Sequence, residues 1–326
     1  MSSHFAMSLD MINRHYQEPN RNRYETRQFW EELYPLIAAA GFDHIEVPFE
    51  PVWQFGGRSG VPMTSYSIET KYGNSESYRA LLASAGIRGV SAVTFTPNLF
   101  VRNPHMDFYF GAFGHFATQA IGFARDLGAD ILVLSPSAYA GRLFHYHPGL
   151  KEDAGDFIVR TLTLFTELAE KAKDEGVKLG LRPEYWSILP VSTVVDFCRQ
   201  QDNVELVVNT AHIALSGSDP SAFLNANLDI TAYVQLSDTK LEDSSTFARA
   251  PNPEFPPQQA TQVFCDAGQG RVPVNDILER VSGSLPPEKV CFSNHHTRDP
   301  MRAMLRNRAL INQHCSQTPL SDVVEA

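Results

Sequence analysis

Val204-Glu-Leu-Val-Val-Asn-Thr-Ala-His212 begins as an apolar run broken only by Glu205, and it turns polar at Asn209. A run this short, with no strict alternation, suits a strand covered on both faces, the condition of a parallel sheet under helices. The same sentence of sequence recurs along the chain. The runs 5–11, 44–48, 89–95, 131–135, 178–182, 205–209, 232–236 and 289–294 all read as strands, eight in number.

The segments between them carry helix punctuation. Residues 27–40 follow Thr26 as an N-cap and stop at Gly41, with Pro35 expected to kink them. Residues 75–85 stop at Gly86, and 155–175 carry Phe157, Leu162, Phe165 and Leu168 on one stripe before Gly176. A short helix is expected over 192–201. Asp299-Pro300 starts the last helix, which is expected to run to His314, with Asp as cap and Pro at the first helical position. Strand and helix alternating eight times predict a (β/α)8 TIM barrel. A doubly wound open sheet is the other α/β arrangement, but it would show a Gly-rich turn after the first strand, and none follows Met11. One barrel domain is expected over 1–315, with a polar, frayed tail over 316–326.

Two connections, 50–74 and 239–270, are too long for simple turns. Both follow strands and so belong to the C-terminal face of a barrel, where long loops act as lids; a decorative insertion or a contact with a second subunit is the alternative. Composition narrows the partners. A formal net charge of −10 argues against nucleic acid or an anionic membrane, which need a basic face, and leaves a small molecule as the expected ligand. Cys198, Cys265, Cys291 and Cys315 form no CxxC pair, as suits buried thiols in a reducing cytosol. No signal-like or membrane-length apolar run is evident, and a cytoplasmic protein is expected.

In a barrel the residues to inspect are those where strands end. They are Asp10, Glu46, Thr94, Thr96, Ser135, Arg182 with Glu184, Asn209 with His212, Gln235 with Asp238, and Asn294 with His295 and His296. Polar groups concentrated there are hard to ascribe to packing, because burying them unpaired costs free energy. Any one of them taken alone reads equally well as structural.

At these positions the chain resembles the sugar phosphate isomerase/epimerase family, the xylose-isomerase-like barrels that include inosose dehydratase, 3-dehydroshikimate dehydratase and ketose 3-epimerases. The similarity rests on Val204–His212, on Tyr233-Val-Gln-Leu-Ser-Asp238 and on Asp266-Ala-Gly-Gln-Gly-Arg271. Val177-Lys-Leu-Gly-Leu-Arg-Pro-Glu184, Gly41-Phe-Asp-His-Ile-Glu46 and Lys289-Val-Cys-Phe-Ser-Asn294 fit the same frame. Order and spacing carry it; each motif alone is weak.

The resemblance implies one divalent cation held by Glu, Asp, His or Gln, and Glu from strands five to eight, and a homodimer by analogy. Carried over position by position, the first Glu falls on Arg182 and the Asp on Asn209, with the family's following His kept as His212. The third ligand falls on Gln235, and the last Glu on Asn294, or on Ser293 if the frame slips by one. A Mg²⁺ or Mn²⁺ ion is held mainly by anionic oxygen. Two carboxylates have become neutral, and the third has become a guanidinium that repels a metal and cannot lose its proton. The expectation is therefore a pocket without metal or other cofactor, in which Arg182 supplies the fixed positive charge. The alternative is one divalent metal with ligands recruited from Glu184, His212, Asp238, His295 or His296.

The resemblance further implies proton transfer beside a carbonyl, giving isomerisation, epimerisation, dehydration or cyclisation. Arg182 is expected as electrophile and Glu184 and His212 as acid and base. Glu46, Asn209, Gln235, Asp238, Lys240, Asn294, His295 and His296 are expected to bind substrate, with Lys240 suited to an anionic group. Aromatic residues in the presumed lids and loops, among them Trp53, Phe55, Tyr66, Tyr185, Trp186 and Phe255, would suit an aromatic or polycyclic ligand. A non-catalytic binding protein or partner subunit is the remaining alternative.

Overall fold

Eight parallel strands close in chain order: β1 (Ala6–Ser8), β2 (His44–Pro48), β3 (Gly89–Phe95), β4 (Ile131–Leu134), β5 (Lys178–Leu181), β6 (Val204–Asn209), β7 (Thr231–Leu236) and β8 (Val290–Phe292), which pairs back to β1. The structure is a computed structural model and describes residues 4–12, 23–52, 60–256, 262–295 and 297–317. Helices cover the barrel: α1 (Arg27–Ala39) after β1, α2 (Ser65–Tyr72) and α3 (Ser75–Ser84) after β2, and α4 (Met106–Leu127) after β3. The second half carries α5 (Ala140–Tyr146) and α6 (Gly155–Asp174), α7 (Val191–Gln200), α8 (Thr210–Leu215) and α9 (Pro220–Asn227), α10 (Val274–Ser282) and α11 (Pro300–Gln317). No helix among the described residues is long and apolar enough to cross a membrane.

The strands expected at 44–48 and 89–95 have those bounds, and the others differ at their ends for local reasons. The first strand stops at Ser8 because its hydroxyl accepts the Asp10 N–H at 3.2 Å and turns the chain into a 3-10 turn, Leu9–Met11. The last is shortened on its near side by a second such turn, Pro287–Lys289. Pro35 lies inside α1, which continues past it to Ala39. The 22-residue α4 has no counterpart in the sequence reading: it is apolar around much of its circumference, with Tyr109, Phe113, Phe116, Ala117 and Ala120 all buried, so no single stripe stands out. The 50–74 connection contains α2, capped by the Thr64 hydroxyl, while Trp53 and Phe55 lie outside the described residues.

Inside the barrel the strands' side chains form stacked layers. The apolar one contains Ala6, Ala92, Ile131, Val133, Val207, Tyr233 and Cys291. Gly180 makes room for it, since a Cβ there would lie 2.7 Å from Val207 Cγ2 and 2.9 Å from Ile131 Cδ1. Because side chains alternate along a strand, two residues further on comes an almost wholly polar layer: Ser8, Thr94, Ser135, Arg182, Asn209, Gln235 and Ser293, all buried. Glu46 joins it by accepting a hydrogen bond from Gln235 Nε2 at 2.6 Å. This layer is the floor of the C-terminal face. Gly180→Ala is expected to overpack the layer beneath it and to cost about 1–3 kcal/mol, read as a lower denaturant midpoint in urea; an unchanged midpoint would show that the interior can give way there.

Candidate active site

Arg182 follows β5 directly, and its guanidinium lies at the centre of the polar layer, 3% exposed. Nε donates to Glu184 Oε1 at 2.8 Å, Nη1 to Gln235 Oε1 at 3.1 Å and Nη2 to Ser135 Oγ at 3.2 Å. Nη2 also stands 2.6 Å from Glu184 Oε1. Each contact comes from a different barrel strand or its end, so the cation is fixed on several sides. Gln235 Oε1 accepts from Asn209 Nδ2 at 3.2 Å as well. Asn209 also caps α8 through the His212 N–H, and its Nδ2 reaches Ser237 Oγ at 3.1 Å.

The carboxylates of this layer are displaced from their ordinary titration. Burial pushes Glu184 up to about 8 against the attraction of Arg182, which works in the opposite direction. Its Oε1 takes the contacts from Arg182 and Ser135, while Oε2 is buried with no hydrogen-bond partner, the oxygen on which a proton costs least. Glu46 is likewise raised, chiefly by burial, and its Oε1 has no partner. His212 is held well below its usual value by burial and by the nearby Arg182, so its imidazole is neutral.

Above the polar layer lies a cavity of about 580 Å³. Arg182 is its floor. Asp10, Thr94, Thr96, His295 and Glu254 line it, with Phe49, Tyr139 and Trp186 among its apolar walls and Arg142 and Asn252 at the side. His295 stands between two carboxylates, with Nε2 3.8 Å from Asp10 Oδ2 and Nδ1 3.9 Å from Glu254 Oε2.

The structure sorts the expected site residues into groups. Arg182 and His295 line the cavity, whereas Glu46, Glu184, Asn209 and Gln235 lie behind the floor and touch Arg182 or one another. His212 does not reach the cavity. The cap at Asn209 places it in the first turn of α8, where its ring stacks on Tyr185 at 5.2 Å and packs against Phe264, and neither ring nitrogen has a partner. Asp238 is not a lining residue either: its carboxylate accepts the backbone N–H groups of Thr239, Gly270 and Val272, pinning the two ends of the long connection together. Lys240 is exposed and does not line the cavity.

Pleat parity separates Ser293 from Asn294. Cys291 faces the barrel interior, so Ser293 does too, and Asn294 turns outward to donate to Asp266 Oδ1 at 2.5 Å. Asp266 in turn holds Arg306 at 3.0 Å. His295, in the turn after β8, lines the cavity, and His296 lies outside the described residues. Sequence reasoning missed Glu254, Tyr139 and Arg142. Glu254 sits in the Pro-rich stretch 250–257, which reads as a lid without marking which residue points inward. Tyr139 precedes α5 as its N-cap and Arg142 lies within it, and that helix is too short to announce itself by period.

The sequence profile described as the xylose isomerase-like TIM barrel matches residues 35–282, more than half of the chain. The chain belongs to that family. Among solved structures it is similar to the probable 3-DHS dehydratase AsbF involved in petrobactin synthesis from Bacillus anthracis, at 9% identity and a TM-score of 0.65 over 94% of this chain and 98% of that one. A xylose isomerase-like TIM barrel protein from Mycobacterium smegmatis in complex with magnesium is similar at 15% identity and a TM-score of 0.64, over 96% of this chain and 98% of that one. D-Psicose 3-epimerase with D-tagatose, from Clostridium cellulolyticum H10, is similar at 13% identity and a TM-score of 0.61, over 96% and 98%. At these identities the likeness is one of fold. No curated protein matches by sequence.

The residues present do not fit a divalent cation in the family's place. The four strand-end positions carry a guanidinium, two amides and a hydroxyl, and the Gln235 oxygen already accepts two N–H groups. Among the described residues, which do not include His296, no three His, Cys, Asp or Glu gather in metal-holding geometry.

Glu184 yields a stability test. Its carboxyl binds a proton more tightly in the folded chain, at about 8, than at its ordinary value of 4.5. The folded state therefore holds the extra proton between those values, and the group's contribution to stability is lost as pH rises through that window. Glu184→Gln is expected to flatten the fall in unfolding free energy between pH 5 and 8, measured by urea denaturation at several pH values; an identical slope in variant and wild type would show an ordinary carboxylate.

Proposed function

We propose that the chain is an enzyme that moves a proton beside a carbonyl of a small molecule, with the Arg182 guanidinium doing electrostatically what a divalent cation does in metal-holding barrels. One observation carries this reading: a fully fixed guanidinium forms the floor of the cavity at the strand-five position where the family resemblance puts a cation ligand. A guanidinium has five N–H groups, and the contacts to Glu184, Gln235 and Ser135 leave it a donor for a ligand oxygen. That donor is held on the cavity floor, where an enolate oxygen would form above it.

The acid–base work falls to groups that line the cavity. His295, with a carboxylate near each ring nitrogen, is placed to take a proton from carbon and return it. Arg182 holds the carbonyl oxygen, and Thr94, Thr96 and Asp10 are placed for the ligand's hydroxyl groups. The cavity volume is in the range of ordinary small-ligand sites, about 300–1,000 Å³. Its Phe49, Tyr139 and Trp186 walls favour a ligand with a flat ring. Dehydration and epimerisation, the activities that the names of its structural relatives carry, both begin with such a proton transfer.

The test is solvent exchange. D-Tagatose, D-psicose and 3-DHS are incubated with the protein in D₂O and examined by mass spectrometry. Deuterium is expected at one carbon beside the carbonyl of at least one of them, at a rate unaffected by EDTA. Arg182→Ala is expected to slow it by about 10²–10³, the effect of losing one preorganised donor. Arg182→Lys, which keeps the charge without the fork, is expected to restore little. Exchange that stops on chelation and returns with Mn²⁺ would contradict the proposal, as would Arg182→Ala at wild-type rate.

A further inference from the structure

The connection between β7 and α10 is docked more tightly than a surface loop needs. Gly141, in the first turn of α5, touches it backbone to backbone: a Cβ there would lie 2.2 Å from the Ala250 carbonyl oxygen and 2.3 Å from that of Arg249. The next residue, Arg142, donates from Nε to the Pro251 carbonyl at 2.8 Å and from Nη2 to Asn252 Oδ1, while its guanidinium lies 5.0 Å above the Tyr139 ring. Tyr185 Oη donates to the Pro253 carbonyl at 3.1 Å, and Arg249 Nη1 donates to the Ser187 carbonyl at 3.0 Å. Prolines at 251, 253 and 256 stiffen the stretch, so ordering it on the barrel costs less entropy.

What this strap carries inward is Glu254. It is 6% exposed, is hydrogen-bonded to Tyr139 and lines the cavity opposite Asp10 across the His295 ring. Burying a carboxylate costs free energy, and the strap could cover the barrel with any apolar residue at that position. The anchors fix one geometric quantity above all, the placement of this carboxylate against His295 Nδ1.

We propose that Glu254 is a positioning residue delivered by the docked strap. It orients the His295 imidazole and balances its charge whenever the ring takes a proton, so that the nitrogen on the Asp10 side exchanges protons with the ligand. The site is then incomplete until residues 249–256 are seated on Gly141 and Arg142. This inference rests on the cavity reading above, but its test uses no substrate, so the two can fail separately.

The experiment follows the histidine ring signals of the isotope-labelled full chain by NMR, with His295 assigned by His295→Gln, and times trypsin cleavage after Arg249. Glu254→Gln is expected to shift the His295 ring signals and leave the cleavage rate unchanged. Gly141→Ala, which keeps the carboxylate but blocks docking, is expected to shift the same signals and to speed cleavage about tenfold, because cleavage follows the population of the undocked strap. His295 signals that stay in place in Glu254→Gln overturn the proposal. So does a Gly141→Ala chain in which cleavage speeds up without any shift, or in which neither changes.

Discussion

The C-terminal half of this barrel depends on one buried ion pair, Arg182 with Glu184. A guanidinium that is 3% exposed cannot be left alone in a protein interior, and its neighbours are arranged to answer it. Glu184, Gln235 and Ser135 supply acceptor oxygens, and Asn209 and Glu46 engage Gln235 in turn. Removing the arginine would strand two raised carboxyls and an amide oxygen in one stroke. Pairs of this kind add little net stability over a well-packed apolar replacement but cost about 3–5 kcal/mol when only one partner is removed. Their retention in a layer that forms a cavity floor is therefore more naturally explained by use than by stability.

Why the sequence discloses the barrel but only half of the site has a physical basis. Parallel strands buried on both faces leave an apolar signature in the chain itself, so β2 and β3 could be placed to the residue, and His44 to Pro48 needed no tertiary information. The ends of those runs are legible as well, and Arg182, Asn209 and Gln235 stand out there as polar residues closing apolar stretches. At the last strand the sequence left Asn294 and Ser293 both open, because β8 is only three residues long; counting parity from Cys291 puts Ser293 inside and Asn294 outside.

The other half of the site comes from elements with no such period. Glu254 is placed by an irregular strap, and its direction is set by contacts with Gly141, Arg142 and Tyr185, more than 60 residues away in the chain. His212 shows the converse. Its position three residues after Asn209 looked functional, yet the same spacing makes Asn209 the cap of α8 and folds the imidazole under Tyr185 and Phe264. Asp238, too, serves the backbone of the loop that covers the site rather than the site itself.

The division of labour is that strands fix the charge and loops supply the groups that meet the ligand, with Arg182 joining the two. In the proposed function the Arg182 guanidinium stands in for a divalent cation. Calorimetric titration of the metal-stripped protein with Mn²⁺, beside Arg182→Glu, tests this most directly. Wild type is expected to show no saturable heat, and Arg182→Glu, which restores an anionic oxygen at that position, is expected to gain a measurable one. A stoichiometric, saturable site in the wild-type protein would contradict the account.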